Sequence, residues 1–407
     1  MGRVTRSALL ACGVAATTLV CTAPAFSKDV ITFAAAVFAE AGRGEKAKAW
    51  VESFNRSQDE VEVQPIAIPF STLANTVFTQ MGGGGGPDLV RFDQTDYFSA
   101  APSGRLLPID EVVDTSAYAF MPPDRFLPVD GKRYGLLFDI TGYALLYNTS
   151  ILPEPPTTFD AFLQAAKDHT RDGIYGFAFR ATMAERAGFW QDLCNFVFGH
   201  GRRWSDDAGN LTLNSPEVVA GVAAYKAVYD AEVIPKGADA ATYRRMFWEN
   251  KIAMNIDNGG VAAIFHQNSP ELTFAAAPSP FPDPAQGLIM TMLSVNANTQ
   301  HKDAAATFIT WAYAPENQKA LQQAMGTSVG TVLELTPEEQ AEQPWLAVYD
   351  KQMETALPQL VMGHEDKTPE IQQVVLEKVL EVLQGGADPQ EAMDQAQRLV
   401  ERRVLRN

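Results

Sequence analysis

Residue types able to do covalent or metal chemistry are few in this chain and poorly arranged for it. The five histidines, His169, His200, His266, His301 and His364, are scattered, and no pair has the spacing that sets two imidazoles on one helical face for zinc. Each reads as a surface or capping histidine. Gly326-Thr327-Ser328-Val329-Gly330 matches the G-x-S-x-G nucleophile elbow in letters. That elbow needs a strand before the serine and a helix after it, whereas a helical pattern precedes Ser328 here and Pro337 soon follows. The alternative to a hydrolase is a Gly-rich helix terminus offering backbone amides to a ligand, and what separates the two is whether Ser328 reaches a histidine and a carboxylate. The glycine run from Gly82 to Gly86 suggests a phosphate loop. It follows a helical pattern and precedes a strand, the reverse of the order that aims a helix N-terminus at phosphate, and no Lys-Ser/Thr follows it. No catalytic residue, metal ligand or cofactor is expected, and an enzyme is not the expected function.

The elements that must position any site alternate between strand and helix. Val30-Ile31-Thr32-Phe33 reads as a buried strand. Ala47, Trp50, Val51 and Phe54 fall at i, i+3, i+4 and i+7 of a helix, and Val61 and Val63 lead into the next strand. A second amphipathic helix through Leu73, Val77, Phe78 and Met81 precedes a third strand at Pro87–Phe92. This alternation predicts a parallel α/β sheet. The same grammar returns in a second lobe: a helix start at Thr157 to Asp160, a strand at Ile174–Phe179, and a helix opened by Ser215-Pro216-Glu217. A strand at Lys251–Ile256 follows. Helical patterns then run from Ala304 to Met325 with a break at Pro315, and from Ile371 to Leu383 and Pro389 to Val404.

A chain of 407 residues is too long for one ordinary core and suits two lobes. Its net charge of −17 argues against a broad nucleic-acid or anionic-membrane surface, since phosphate binding needs Lys and Arg. Residues 1–27 have the layout of an export signal: Arg3 and Arg6, an apolar stretch from Ala8 to Val20, and small-x-small cleavage sites ending at Ala25 and Ser27. The two arginines are not adjacent, so the general secretory route and a periplasmic location are expected. Leu9-Leu10-Ala11-Cys12 resembles a lipoprotein box, but cleavage there would leave almost no apolar stretch. Cys12 and Cys21 leave with the signal, so Cys194 remains alone and reads as a small buried residue.

One long stretch resembles a known family, the extracellular solute-binding proteins of ABC importers, in the group containing the maltodextrin-binding proteins. It runs from Gly142-Tyr143-Ala144-Leu145-Leu146-Tyr147-Asn148 through Pro155-Pro156-Thr157-Thr158-Phe159-Asp160, with Phe159 where the family usually has Trp. Gly86-Pro87-Asp88-Leu89-Val90, Gly104-Arg105-Leu106-Leu107-Pro108 and Phe247 to Met254 are similar pieces. The resemblance implies a two-lobed α/β periplasmic binding protein fold, closing on its ligand by hinge motion. It implies crossings near Asp139-Ile140-Thr141 and Met290-Thr291-Met292. The expected division is residues 28–139 plus 293–333 in one lobe and 140–292 plus 334–407 in the other. It further implies a monomer that captures a sugar or polyol and delivers it to the membrane subunits of an ABC permease. A polyamine, an amino acid or an organic phosphate is the alternative solute.

Ligands of open α/β sheets sit at the carboxyl ends of strands, and sugars want a flat aromatic face together with carboxylates, amides and Arg. Those demands nominate Phe38 and Glu40 after the first strand, Phe70 after the second, and Asp93 and Gln94 after the third. Asp139 at the first crossing, Arg180 and Ser328 join them. Trp190 stands where the family commonly places a stacking aromatic, and core packing on its helix is the competing role. Asn258, Gly259 and Gly260 match a family ligand loop, with Gly260 where many carbohydrate binders carry a bulky aromatic, which implies a smaller platform or room for a larger ligand. Trp248 and Trp345 are reserves.

Overall fold

The computed structural model describes residues 1–2, 28–40, 43–201 and 203–406, so residues 3–27 of the expected export signal, Cys12 and Cys21 among them, lie outside the described residues. The β-branched run after Lys28 forms β1 (Asp29–Ala35), which pairs in parallel with β2 (Val61–Ala67) and β3 (Leu89–Asp93). Between β1 and β2 the helix Gly44–Ser57 buries Ala47, Trp50, Val51 and Phe54, the face its periodicity predicts. Helix Phe70–Gly82 ends on the glycine run: Gly83 caps it, and Gly84 and Gly86 take φ of 81° and 100°, which glycine adopts without steric cost. The run is therefore a helix stop that feeds β3.

Chain continuity then carries the fold from one sheet to another. β4 (Leu136–Thr141) belongs to the first sheet, β5 (Tyr143–Asn148) to the second, and Gly142 alone separates them. β5 is the centre of a three-stranded antiparallel sheet, flanked by β6 (Met254–Asn258) and β7 (Phe274–Ala277). Its side chains alternate between two apolar layers, Tyr143 and Leu145 on one face and Ala144 and Leu146 on the other. β8 (Gly287–Val295) returns to the first sheet, inserting between β3 and β4 and antiparallel to both. β9 (Ser328–Val329) pairs with β4, and β10 (Leu357–Pro358) lies beside the start of β8. The helices Thr368–Gly385 and Pro389–Arg403 close the chain against the second sheet's core.

Two expectations change. The first sheet is mixed, because β8 arrives from the far lobe and runs against β3 and β4. Of the expected second crossing, Thr291 and Met292 pair with both β3 and β4 inside β8 and Met290 pairs with β4, while Gly142 alone separates β4 from β5. Ile174–Phe179 is not a regular strand: Tyr175 makes a single parallel bridge to Ile252, while the Phe177 N–H donates to the Val233 carbonyl. The segment is pressed against the helix Phe159–Asp168, so tightly that a Cβ on Gly176 would lie 1.9 Å from the Ala166 carbonyl oxygen. Cys194 is buried, as expected, and its thiol receives the Trp204 indole N–H at 3.2 Å.

That contact predicts a contrast between two glycines. Gly176→Ala should lower stability by about 3 kcal/mol, because backbone rather than a pliable side chain blocks the new methyl. Gly82→Ala, with nothing within 4 Å of its added Cβ, should change stability by no more than about 1 kcal/mol. Urea unfolding of both variants checks this, and coincident midpoints would contradict the packing described.

Candidate functional site

Three neighbouring strands of the first sheet meet at one carboxylate. Arg91 of β3 donates from Nε to Asp139 Oδ1 of β4 at 2.7 Å and from its guanidinium NH2 at 2.6 Å. The Thr291 hydroxyl of β8 donates to the same carboxylate. All three side chains are almost entirely buried. The pair holds only because each charge is answered, since removing one partner of a buried pair costs about 3–5 kcal/mol. Its effect is to fix the Arg91 guanidinium at the carboxyl edge of the sheet.

Over that edge, between the lobes, lies a cavity of about 260 Å³. The first lobe lines it with Glu40, Phe70, Arg91, Asp93 and Gln94. The second supplies Trp190 and Gln191 from helix Arg186–Phe198, with Gln359 and Gln372 from later in the chain. Phe70 opens its helix and remains 63% exposed, an apolar face at the cleft. Trp190 is 4% exposed; it stacks on Trp204 at 4.6 Å and donates its indole N–H to the Gln359 carbonyl at 2.9 Å. Gln94 and Gln359 each keep a side-chain oxygen without a partner. The wall is thus rich in amides and carboxylates beside two aromatics, a set that exchanges hydrogen bonds with a polyhydroxylated solute and offers its ring a flat face.

Asp93 caps the helix Gln94–Ala100, its carboxylate accepting the Asp96 N–H at 2.8 Å. Burial pushes the Asp93 carboxyl above its usual range despite that bond. Asp96, one turn on, is pushed up to about 7, first by burial and then by the charge of Asp93.

Of the residues nominated from sequence, Glu40, Phe70, Asp93, Gln94 and Trp190 come together in this cavity. Asp139 lies beneath it, holding Arg91. Phe38 does not reach it: it is 3% exposed and packs edge-on against Phe33 at 5.2 Å, because the short helical turn Ala36–Ala39 rotates it into the core. Arg180 is also elsewhere, buried in a two-pronged pair with Asp192 at 2.8 and 2.6 Å. Asn258 bonds the Asp257 carboxylate, and the Gly259 N–H donates to the Thr141 hydroxyl at 2.8 Å. Gly260 lines a second interlobe cavity of about 380 Å³ with Arg43 and Trp345. Ser328 donates to Asp350, and none of the hydrogen bonds made by histidine rings in the described residues involves it, so the nucleophile arrangement is missing. Trp248 packs edge-on near Phe265 at 6.3 Å. Among the described residues no cluster of three or more His, Cys, Asp or Glu is placed to hold a metal ion, and no helix is long and apolar enough to cross a membrane.

Sequence reasoning missed Arg91, Gln191, Gln359 and Gln372. Arg91 carried a signal, a cation inside the apolar strand Leu89-Val90-Arg91-Phe92. Gln191 sits beside the nominated Trp190. Gln359 and Gln372 come from the return of the chain to the second lobe and had no local mark.

Comparison with known proteins agrees with this architecture. The family described as bacterial extracellular solute-binding protein matches residues 49–344. The chain belongs to that family. That family is one of binding proteins rather than enzymes. The maltotriose-binding protein of Pyrococcus abyssi (strain GE5 / Orsay) is 27% identical over 252 residues, covering 59% of this chain. The match spans only 53% of that relative's length. Among solved structures, the GacH receptor of Streptomyces glaucescens, determined unliganded and with acarbose, has a TM-score of 0.79 at 18% identity, covering 93% of this chain and 99% of its own. The maltose/maltodextrin-binding domain of Bdellovibrio bacteriovorus, bound to maltotriose, has a TM-score of 0.76 at 22% identity over 93% and 100%. UgpB from Mycobacterium tuberculosis, in complex with glycerophosphocholine, has 0.77 at 18% over 92% and 98%. These likenesses establish the two-lobed α/β fold of solute-binding proteins.

The raised Asp96 carboxyl makes stability depend on pH in a defined direction. Its pKa of about 7 in the folded chain lies above the ordinary 3.8, so between these values the folded state binds more protons than the unfolded one. Stability from this group is therefore present at acid pH and lost as pH rises toward 7. Asp96→Asn should raise the melting midpoint above wild type at pH 8, with the difference shrinking toward pH 4. Parallel midpoint curves for the two proteins across that range would contradict it.

Proposed function

We propose that this protein is the exported substrate-binding component of an ABC importer, capturing a sugar or polyol between its lobes and presenting it to membrane permease subunits. The observation that carries the reading is the interlobe cavity, where Phe70 and Trp190 lie among Glu40, Asp93, Gln94, Gln191 and Gln359. The maltotriose-binding relative supports the same solute class. An organic phosphate or other anion is disfavoured there, because Arg91, the one cation of that wall among the described residues, is already engaged by Asp139. The hydrolase alternative has no support once Ser328 lacks a histidine.

The reading includes a periplasmic location reached through cleavage of the signal in residues 1–27, and a monomer. It assigns residues 28–139 with 293–333 to one lobe and 140–292 with 334–407 to the other, rotating about Gly142. Closure is a shift between open and closed states, driven by contacts that a ligand makes with both lobes at once.

A thermal-shift panel of sugars, polyols, amino acids and polyamines on the purified chain from residue 28 tests the solute class. The cognate solute at a thousandfold excess over Kd should add about 4 kcal/mol of stability. A rise with an amine or amino acid and none with any sugar or polyol would overturn the carbohydrate assignment.

The two aromatics should then separate by role. Phe70→Ala should leave the melting midpoint near wild type and weaken sugar binding by about 1 kcal/mol, roughly fivefold. Trp190→Ala removes a stacked, hydrogen-bonded core indole and should lower stability by about 3–5 kcal/mol. Calorimetry beside melting curves checks the pair, and full sugar affinity in Phe70→Ala would remove Phe70 as a platform.

A further inference from the structure

The wall of the cavity above Arg91 and Asp139 has hydrogen-bond acceptors and a negative charge left over. Its charged lining residues are Glu40, Arg91 and Asp93, and the second lobe brings none. Arg43 donates to Glu40, and Asp139 holds the Arg91 guanidinium. Asp93 accepts the Asp96 N–H at 2.8 Å and makes no ion pair among the described residues. One turn along its helix stands a second carboxylate, Asp96, which adds to the negative charge and does not cancel it.

The neutral donors of Trp190, Thr291, Gln359 and Gln372 are spent within the protein. The indole N–H goes to the Gln359 carbonyl and the Thr291 hydroxyl to Asp139. The side-chain amides of Gln359 and Gln372 donate to the carbonyls of Gln191 and Arg186, each at 3.2 Å. Acceptors are left over. Gln94 and Gln359 each hold a buried side-chain oxygen without a partner, and Gln359 is only 3% exposed. A buried acceptor without a donor carries its desolvation cost unrelieved until a ligand supplies the donor.

A sugar hydroxyl can satisfy one such oxygen but leaves the charge of Asp93 uncompensated. An ammonium group brings three donors, no acceptor and a positive charge. Its bond to a carboxylate is about twice as strong as a neutral one. Carried on a sugar ring, it leaves the hydroxyls for the two glutamines and the ring's C–H face for Phe70. A linear polyamine offers Phe70 no such face, and the carboxylate of an amino acid meets no uncommitted cation on the described wall.

We infer that the solute is a protonated amino sugar whose ammonium group is held by Asp93, with Gln94 and Gln359 accepting from it or from the hydroxyls beside it. This rests on the carbohydrate reading above and adds the ligand's charge and the residue that selects it. The carboxyls accord with it. Burial raises Asp93, and burial with the charge of Asp93 raises Asp96, which is the direction a cation set beside them would reverse.

Calorimetry with glucosamine, galactosamine and mannosamine, each beside its neutral parent glucose, galactose or mannose, tests the inference at about pH 6.5, below the titration of an α-amino group. Wild type should bind one amino sugar at least tenfold more tightly than its parent. Asp93→Asn and Asp93→Ser remove the charge and keep a side chain able to cap the helix. Each should bring the ratio of the two affinities to within about twofold of one. The wild-type comparison needs no variant and decides by itself if neither substituted protein folds. Parents bound as tightly as their amino sugars, or a preference kept in both variants, would overturn the inference while the carbohydrate reading stands. Absence of binding by every amino sugar would overturn it as well. If no neutral sugar binds either, and only an amine or amino acid raises the midpoint in the thermal-shift panel, the carbohydrate reading falls with it.

Discussion

The bond on which the arrangement depends is the one between Arg91 and Asp139. A guanidinium and a carboxylate are buried at the edge of a sheet, and each would be intolerable alone. Because the partners come from β3 and β4, with Thr291 of β8 on the same carboxylate, satisfying the charges also fixes the register in which three strands end together. That shared end is the floor of the first cavity. One residue past β4, the chain enters the other sheet through Gly142. The interaction that builds the floor and the single residue between the two sheets are therefore neighbours in sequence.

The walls differ in kind. On the first lobe they are loops and helix starts at strand ends, so Phe70, Asp93 and Gln94 keep exposed or half-buried side chains with freedom to meet a solute. On the second lobe the wall is a helix deep in an aromatic core, where Trp190 is stacked, hydrogen-bonded and nearly covered. Ion pairs behind it, Arg180 with Asp192 and Arg244 with Asp257, hold that lobe's inner face. The first wall presents its side chains to the cavity, and the second holds its aromatic ring in the core.

Much of this was legible in the sequence because the signals were local. Helical periodicity located Trp50, Val51 and Phe54 on a buried face, and the strand-end rule led to Glu40, Phe70, Asp93 and Gln94. What escaped was set by tertiary contact. Phe38 obeys the same rule but turns into the core. Arg180 ends an apolar run as a binding arginine would, yet Asp192, one helix away, claims it entirely. Gln359 belongs to a segment without periodicity, placed only when β10 lies down beside β8. The apolar run Ile174–Phe179 has the composition of a strand, but its backbone donors find partners outside any sheet.

The path of the chain through the second lobe bears on when that lobe can exist at all. Its core begins with Tyr143 and Leu145 and is completed by Met393, Ala396 and Val400 of the helix Pro389–Arg403. Contacts so distant in sequence form slowly, since loop closure must precede any gain from them. Strands and helices between residues 143 and 285 supply most of that core, and the helix Pro389–Arg403 adds its last side. A polypeptide built this way completes its second lobe late in folding.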